Sequence, residues 1–152
     1  MDKLLSLVTE FKRKYPLTVA WRLEKNCNVI SQHLNEGEEV TFAFAAQNNN
    51  STFNIFNTCI VALTTERLLI GYKRVVFGYY FVSITPDLYN DLEIRNGIIW
   101  ARLIIDTVKE KVHLSNIQTA ALIDIETEIT EFMIREKQKY ARMSKWHSFI
   151  YC

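Results

Sequence analysis

The sequence predicts a mainly β domain with helices: about seven antiparallel strands forming a small barrel or orthogonal sandwich, capped by one C-terminal helix and preceded by short N-terminal helices. Three observations carry this expectation. Between Glu38 and Leu114, short apolar runs of strand period follow one another, separated by turn residues. One amphipathic stripe of helical period then runs from Ile117 to Phe132. Finally, 152 residues with 49% hydrophobic content, 4 Gly and 2 Pro suit a single packed core and exclude collagen-like, low-complexity and disordered chains.

Each element has its own local cause. Residues 2–14 place Leu4, Leu7, Val8 and Phe11 on one helical face, and Lys12, Arg13 and Lys14 complete the last turn, where cations suit the helix dipole. Pro16 stops that helix. A second helix is expected from Leu23 to Leu34, with Val29, Ile30, His33 and Leu34 on one side and Gly37 as terminator. From Glu38 the period changes, and Val40, Phe42, Phe44 and Ala46 share one face of a strand that ends in a polar turn over Gln47–Ser51. Phe53–Leu63 reads as the second strand, Thr64–Arg67 as a tight turn, and Leu68–Tyr72 as the third, with Leu68, Ile70 and Tyr72 on one face. Further strands are expected at Val75–Ile84, Leu88–Arg95, Ile98–Asp106 and Glu110–Leu114, with Asn96-Gly97 the strongest turn signal between them. Ser115 and Gln118 have capping-box spacing, so the last helix should begin at Asn116. It buries Ile117, Ala121, Ile125, Ile129 and Phe132, flanked by Leu122 and Met133, and turns Asp124, Glu126, Glu128 and Glu131 to water.

Several functions lose support on composition and spacing. A formal net charge of +1 argues against a broadly basic nucleic-acid binder. Cys27, Cys59 and Cys152 are odd in number, far apart and without a CxxC pair, which favours reduced thiols over disulfides or zinc. His33, His113 and His147 lack the neighbours that a metal site or an acid–base pair requires. Gly71 and Gly78 flank Lys73-Arg74 without making a nucleotide-binding motif. No signal peptide is read at MDKLLSLVTEF, and no apolar run approaches the roughly 20 residues of a membrane span, so a cytoplasmic location is expected.

The segment Ile60-Val-Ala-Leu-Thr-Thr-Glu-Arg-Leu-Leu-Ile70, with Glu38-Glu39-Val40 at the opening strand and Ile98–Asp106 before the final helix, resembles bacterial pleckstrin-homology (PH)-like domains of the YokE type. The resemblance spans Gly37 to about Arg135 and implies a PH-like antiparallel barrel without catalysis or cofactor and with a tendency to self-associate. On this reading the chain divides into a helical extension (1–35), a PH-like domain (36–140) and a basic aromatic tail (141–152). Some PH domains grip phosphoinositides with cations after the first strand. Here that loop, Gln47–Thr52, has none, which argues against a headgroup role.

The net charge conceals a segregation: residues 1–34 carry six basic and three acidic groups, 35–134 seven and thirteen, and 135–152 five and one. The candidate contact residues are therefore Arg135, Lys137, Lys139, Arg142, Lys145, Trp146 and Phe149, where cations alternate with aromatics. Such a stretch suits a protein partner, a second copy of the chain or an anionic membrane surface; the alternative is that its aromatics fold back on the N-terminal helices.

Overall fold

The computed structural model describes residues 2–49 and 56–151, with side chains in the last helix up to Trp146. Its elements are α1 (Lys3–Lys14), α2 (Leu23–Ser31), β1 (Val40–Gln47), β2 (Thr58–Thr64), β3 (Leu68–Lys73), β4 (Tyr79–Ile84), β5 (Tyr89–Arg95), β6 (Trp100–Thr107), β7 (Lys111–Gln118), a single 3-10 turn (Thr119–Ala121) and α3 (Leu122–Tyr151). The seven strands form one antiparallel sheet in the order β4-β3-β2-β1-β7-β6-β5, whose two halves join where Gln47 pairs with Ser115. The sheet curls into a half-barrel with β4 and β5 as its free edges. On β5, Asp91, Glu93 and Arg95 stand outward at period two, the kind of charged edge that resists pairing with another sheet.

The inner face of the sheet is covered by α3, and the outer face of β1–β4 by α1 and α2. On the inner face, Phe44, Ala46, Cys59, Val61, Leu63, Leu68 and Ile70 pack with Ile125, Ile129, Phe132 and Met133 of α3. On the outer face the alternate residues Ala43, Ala45, Ile60, Ala62 and Leu69 pack with Leu4, Val8, Cys27 and Ile30 of α1 and α2. Every residue of β2 is buried for this reason, and its near-continuous apolar run is that of a strand covered twice. The helices of the N-terminal segment thus form a third layer. At the other end of α1, Tyr15 and Lys14 both bond Asp124, tying α1 to the first turn of α3. The Asp124 carboxyl is held below its usual range chiefly by the Tyr15 hydroxyl and then by Lys14, so it does not simply face water.

Gly71 sets how closely α2 approaches the sheet. A Cβ there would lie 3.0 Å from Ile30 Cγ1 and 3.2 Å from Val29 Cγ1. Strand propensity would favour valine at this position, but the packing leaves it no room. Gly71→Val should destabilise the domain by about 1–3 kcal/mol, read as a lower denaturation midpoint with unchanged denaturant sensitivity.

The structure corrects several local expectations. A register shift between Val40 and Phe42 moves Val40 to the outer face, beside Ala43 and Ala45, instead of sharing the inner face with Phe44. Gln47 is not a turn residue; it is the fully buried end of β1. Residues 74–78 are a hairpin loop rather than strand, closed by Arg74 N–H donating to Gly78 O at 3.0 Å, with Gly78 at φ +70°. α2 ends at Ser31, three residues short of Leu34.

The start of the last helix differs most. Ser115 and Gln118 belong to β7, and α3 begins at Leu122. Asn116 takes a left-handed conformation (φ 58°) that a residue inside the first turn of a helix cannot use, and its carbonyl accepts from Val19 N–H. Gln118 accepts at Oε1 from Leu17 N–H and donates its own N–H to Thr18 Oγ1. The 17–19 segment recruits the polar groups that would otherwise cap a helix. The expected strand start at Phe53 and the loop residues 50–52 lie outside the described residues, as do the side chains of His147, Phe149 and Cys152.

Candidate functional site

The residues singled out in the tail stand on the second half of α3. This helix has 30 residues and is about 45 Å long. Its buried side chains end at Met133; from Ile134 to Trp146 none is buried. The core stripe nevertheless continues in phase, because Ile129, Met133, Glu136, Tyr140 and Met143 follow at alternating spacings of four and three. Tyr140, Met143 and Trp146 are each more than half exposed, so these apolar side chains do not fold into the core. The apolar stripe outruns the body it packs on.

The five cations are not equivalent. Lys137 donates to the Tyr89 carbonyl and lies 5.7 Å from the Tyr89 ring centroid, which pins the helix to β5. Arg135 stands 5.9 Å over the Phe132 ring, and Lys139 pairs with Glu136 at 3.1 Å. Arg142 and Lys145 lie further along the exposed end. The Phe149 side chain is outside the described residues.

The residues of the Thr64–Arg67 turn build a second constellation. Thr64 Oγ1 accepts from the backbone N–H groups of Glu66 and Arg67 at 3.1 and 3.0 Å, and donates to Glu38 Oε2 at 2.6 Å. Arg67 donates to both Glu38 oxygens (3.0 and 2.9 Å), to His33 O (2.9 Å) and to Ser83 Oγ (3.0 Å). One guanidinium thereby joins the end of α2, the entry to β1, the β2–β3 turn and β4. The side chain of Glu38 is wholly buried. Burial pushes its carboxyl up, but hydrogen bonds from Arg67, Asn35 N–H and Thr64 outweigh that and bring it down to about 2. With every oxygen occupied, this is a structural clasp and has no free acid to offer a substrate.

His33, Cys27 and Cys59 are also engaged in structure. His33 stacks on Phe81 with centroids 4.0 Å apart and contacts Val29 O through Nδ1 at 2.6 Å. Burial pushes the thiols of Cys27 and Cys59 up to about 12, leaving both protonated at neutral pH. Among the described residues no three His, Cys, Asp or Glu side chains gather as metal ligands, and no helix is long and apolar enough to cross a membrane. A shallow cleft of about 210 Å³ between α2 and the β3–β4 hairpin is lined by Trp21, Arg22, Asn26, Tyr72, Lys73 and Arg74, among others, and, among the described residues, by no carboxylate.

Residues 34–131 match the family model described as Bacterial PH domain. The chain belongs to this bacterial PH domain family. The match opens just ahead of the Glu38 clasp and closes on α3 beside Phe132, so it takes in all seven strands and leaves out α1, α2 and the projecting end of α3. Two solved structures are similar. A pleckstrin homology domain from Shewanella amazonensis SB2B shares 16% identity, over 74% of this chain and 89% of that one, with a TM-score of 0.47. A DUF1696 family protein with a pleckstrin-homology domain, from Shewanella loihica PV-4, shares 15%, over 74% and 94%, with a TM-score of 0.49. Comparison with curated proteins finds no match. The seven antiparallel strands and C-terminal helix are those of a PH-like fold, with the N-terminal helices preceding it. Sequence reasoning did not pair Arg67 with Glu38, although both lie in segments that carried the resemblance; the missing information was that a residue 29 positions away completes the clasp.

Proposed function

We propose that this bacterial PH domain, of the YokE type, is a non-catalytic, cytoplasmic interaction module that associates with a protein surface, in the first instance a second copy of itself, through the projecting half of α3. The observation that carries this reading is the exposed continuation of the core stripe at Tyr140 and Met143. The stripe leaves Tyr140 and Met143 in water where α3 outruns the body, and docking against another surface removes that apolar area from water. Charge supports a second copy as the partner: residues 35–134 carry thirteen acidic groups against seven basic, and residues 135–152 carry five basic against one acidic, so the end of one chain and the body of another attract.

Light scattering on the full chain, resolved by size exclusion, tests the reading. The wild type should run above monomer mass at high concentration, Tyr140→Ser with Met143→Ser should return it to monomer, and added salt should weaken the association. A wild type that stays monomeric throughout overturns self-association. The second reading is a peripheral membrane module acting through Arg135, Lys137, Lys139, Arg142 and Lys145; it is favoured if charge reversal at Arg142 and Lys145 abolishes salt-sensitive binding to anionic vesicles. Neither reading assigns a phosphoinositide headgroup, a nucleic acid or a cofactor to the chain.

A further inference from the structure

The β3–β4 hairpin ends in a feature that the α3 reading does not use. Its loop is Arg74-Val75-Val76-Phe77-Gly78, and the three apolar side chains at the apex are 79%, 76% and 83% exposed. None of them belongs to either core cluster. The apex is nonetheless built firmly: Lys73 pairs with Tyr79, Arg74 N–H donates to Gly78 O, Arg22 Nη1 donates to Lys73 O at 3.1 Å, and Asn26 Oδ1 accepts from Lys73 N–H at 2.9 Å. These two side-chain bonds, from Arg22 at the start of α2 and from Asn26 within it, tie the Lys73 backbone to α2 while the apolar apex stays exposed. Trp21, half exposed, lines the cleft at its base together with Val75.

The charge around this apex opposes that of the body. Arg22, Lys25, Lys73 and Arg74 surround it with Glu24 as the acidic residue of the α2 first turn, while residues 35–134 as a whole carry thirteen acidic groups against seven basic. The cleft beneath is lined by three of these cations and, among the described residues, by no carboxylate. We propose that this hairpin is a membrane contact, in which Val75, Val76 and Phe77 enter the acyl boundary of an anionic bilayer and Arg22, Lys25, Lys73 and Arg74 meet the headgroups. Size favours a bilayer over a protein as occupant. A stable protein interface buries roughly 800 Å² on each side, which an apex of three residues does not supply. A lipid surface accepts a few inserted side chains plus adjacent cations and needs no shaped complement.

Cosedimentation of the full chain with vesicles of equal parts phosphatidylglycerol and phosphatidylcholine at low salt tests the proposal. The chain should pellet with these vesicles and far less with phosphatidylcholine alone. Phe77→Asp and Val76→Asp should each lower the bound fraction by about tenfold or more, as expected for withdrawing one such side chain from an apolar phase. Lys73→Glu with Arg74→Glu should do the same, whereas Ile123→Asp, an equally exposed apolar position on α3, should leave binding unchanged. Phe77→Trp supplies a readout that keeps the apex apolar: its emission should shift to the blue on vesicle addition. Failure to pellet with anionic vesicles, or pelleting that survives both apex substitutions and is lost only on charge reversal at Arg142 and Lys145, overturns the proposal. So does a change in oligomeric mass, in place of vesicle binding, when the apex is altered. The α3 reading stands or falls separately on light scattering.

Discussion

Arg67→Met should destabilise the domain by about 3–5 kcal/mol, because it leaves the wholly buried carboxylate of Glu38 without its cation. For a chain of this size that corresponds to a melting temperature lower by roughly 6–20 °C. The double variant Arg67→Met with Glu38→Leu should recover much of the loss, since an apolar pair carries no desolvation cost; a double variant as unstable as the single one would assign the effect to lost packing instead. The same carboxyl gives an acid dependence with a definite sign. Its value is about 2 in the folded protein against an ordinary 4.5, so the unfolded chain binds the proton more readily. The stability it contributes is complete above about pH 4.5 and is lost as pH falls from there through about 2. Acid titration followed by circular dichroism should show the wild type losing stability in that window, and the stability gap between wild type and Arg67→Met narrowing across it, because protonating Glu38 removes the unpaired buried charge.

Gln47→Leu is the second substitution with a large expected effect. Gln47 Nε2 donates to Val19 O at 2.8 Å and to Thr58 Oγ1 at 2.7 Å, and its Oε1 accepts from Asn57 N–H at 2.9 Å. This fully buried amide holds the segment between α1 and α2 against the ends of β1 and β2. Leucine fills a similar volume and strands the Val19 carbonyl and the Asn57 amide, each at about 1–3 kcal/mol. The denaturation midpoint should fall by the equivalent of about 2–4 kcal/mol, with faster hydrogen exchange at Asn57 and Trp21, whose N–H donates to Thr58 Oγ1. Unaltered exchange at both amides would show that the surrounding backbone is held without Gln47.

The two surfaces proposed for contact share a physical origin. Among the large apolar side chains left exposed, the two proposed groups lie where secondary structure outruns the core. That happens at the end of α3 beyond Met133 and at the apex of the β3–β4 hairpin beyond Lys73. Only the first was legible in the sequence, as a run of cations and aromatics. Val75, Val76 and Phe77 read there as the start of a strand, because apolar residues of β propensity look the same whether they are covered or left at a tip.

Local pattern was enough for about seven antiparallel strands, the Thr64–Arg67 turn and the core stripe of α3. These depend on periods of two and 3.6 and on turn residues within a few positions of one another. The tertiary structure decided the rest: which face Val40 takes, that Ser115 and Gln118 serve β7 and the 17–19 segment rather than a helix cap, that Glu38 closes on Arg67, and that α3 extends past the sheet. Each of these turns on a group many residues away in the chain or on where the body ends, and a local pattern carries neither.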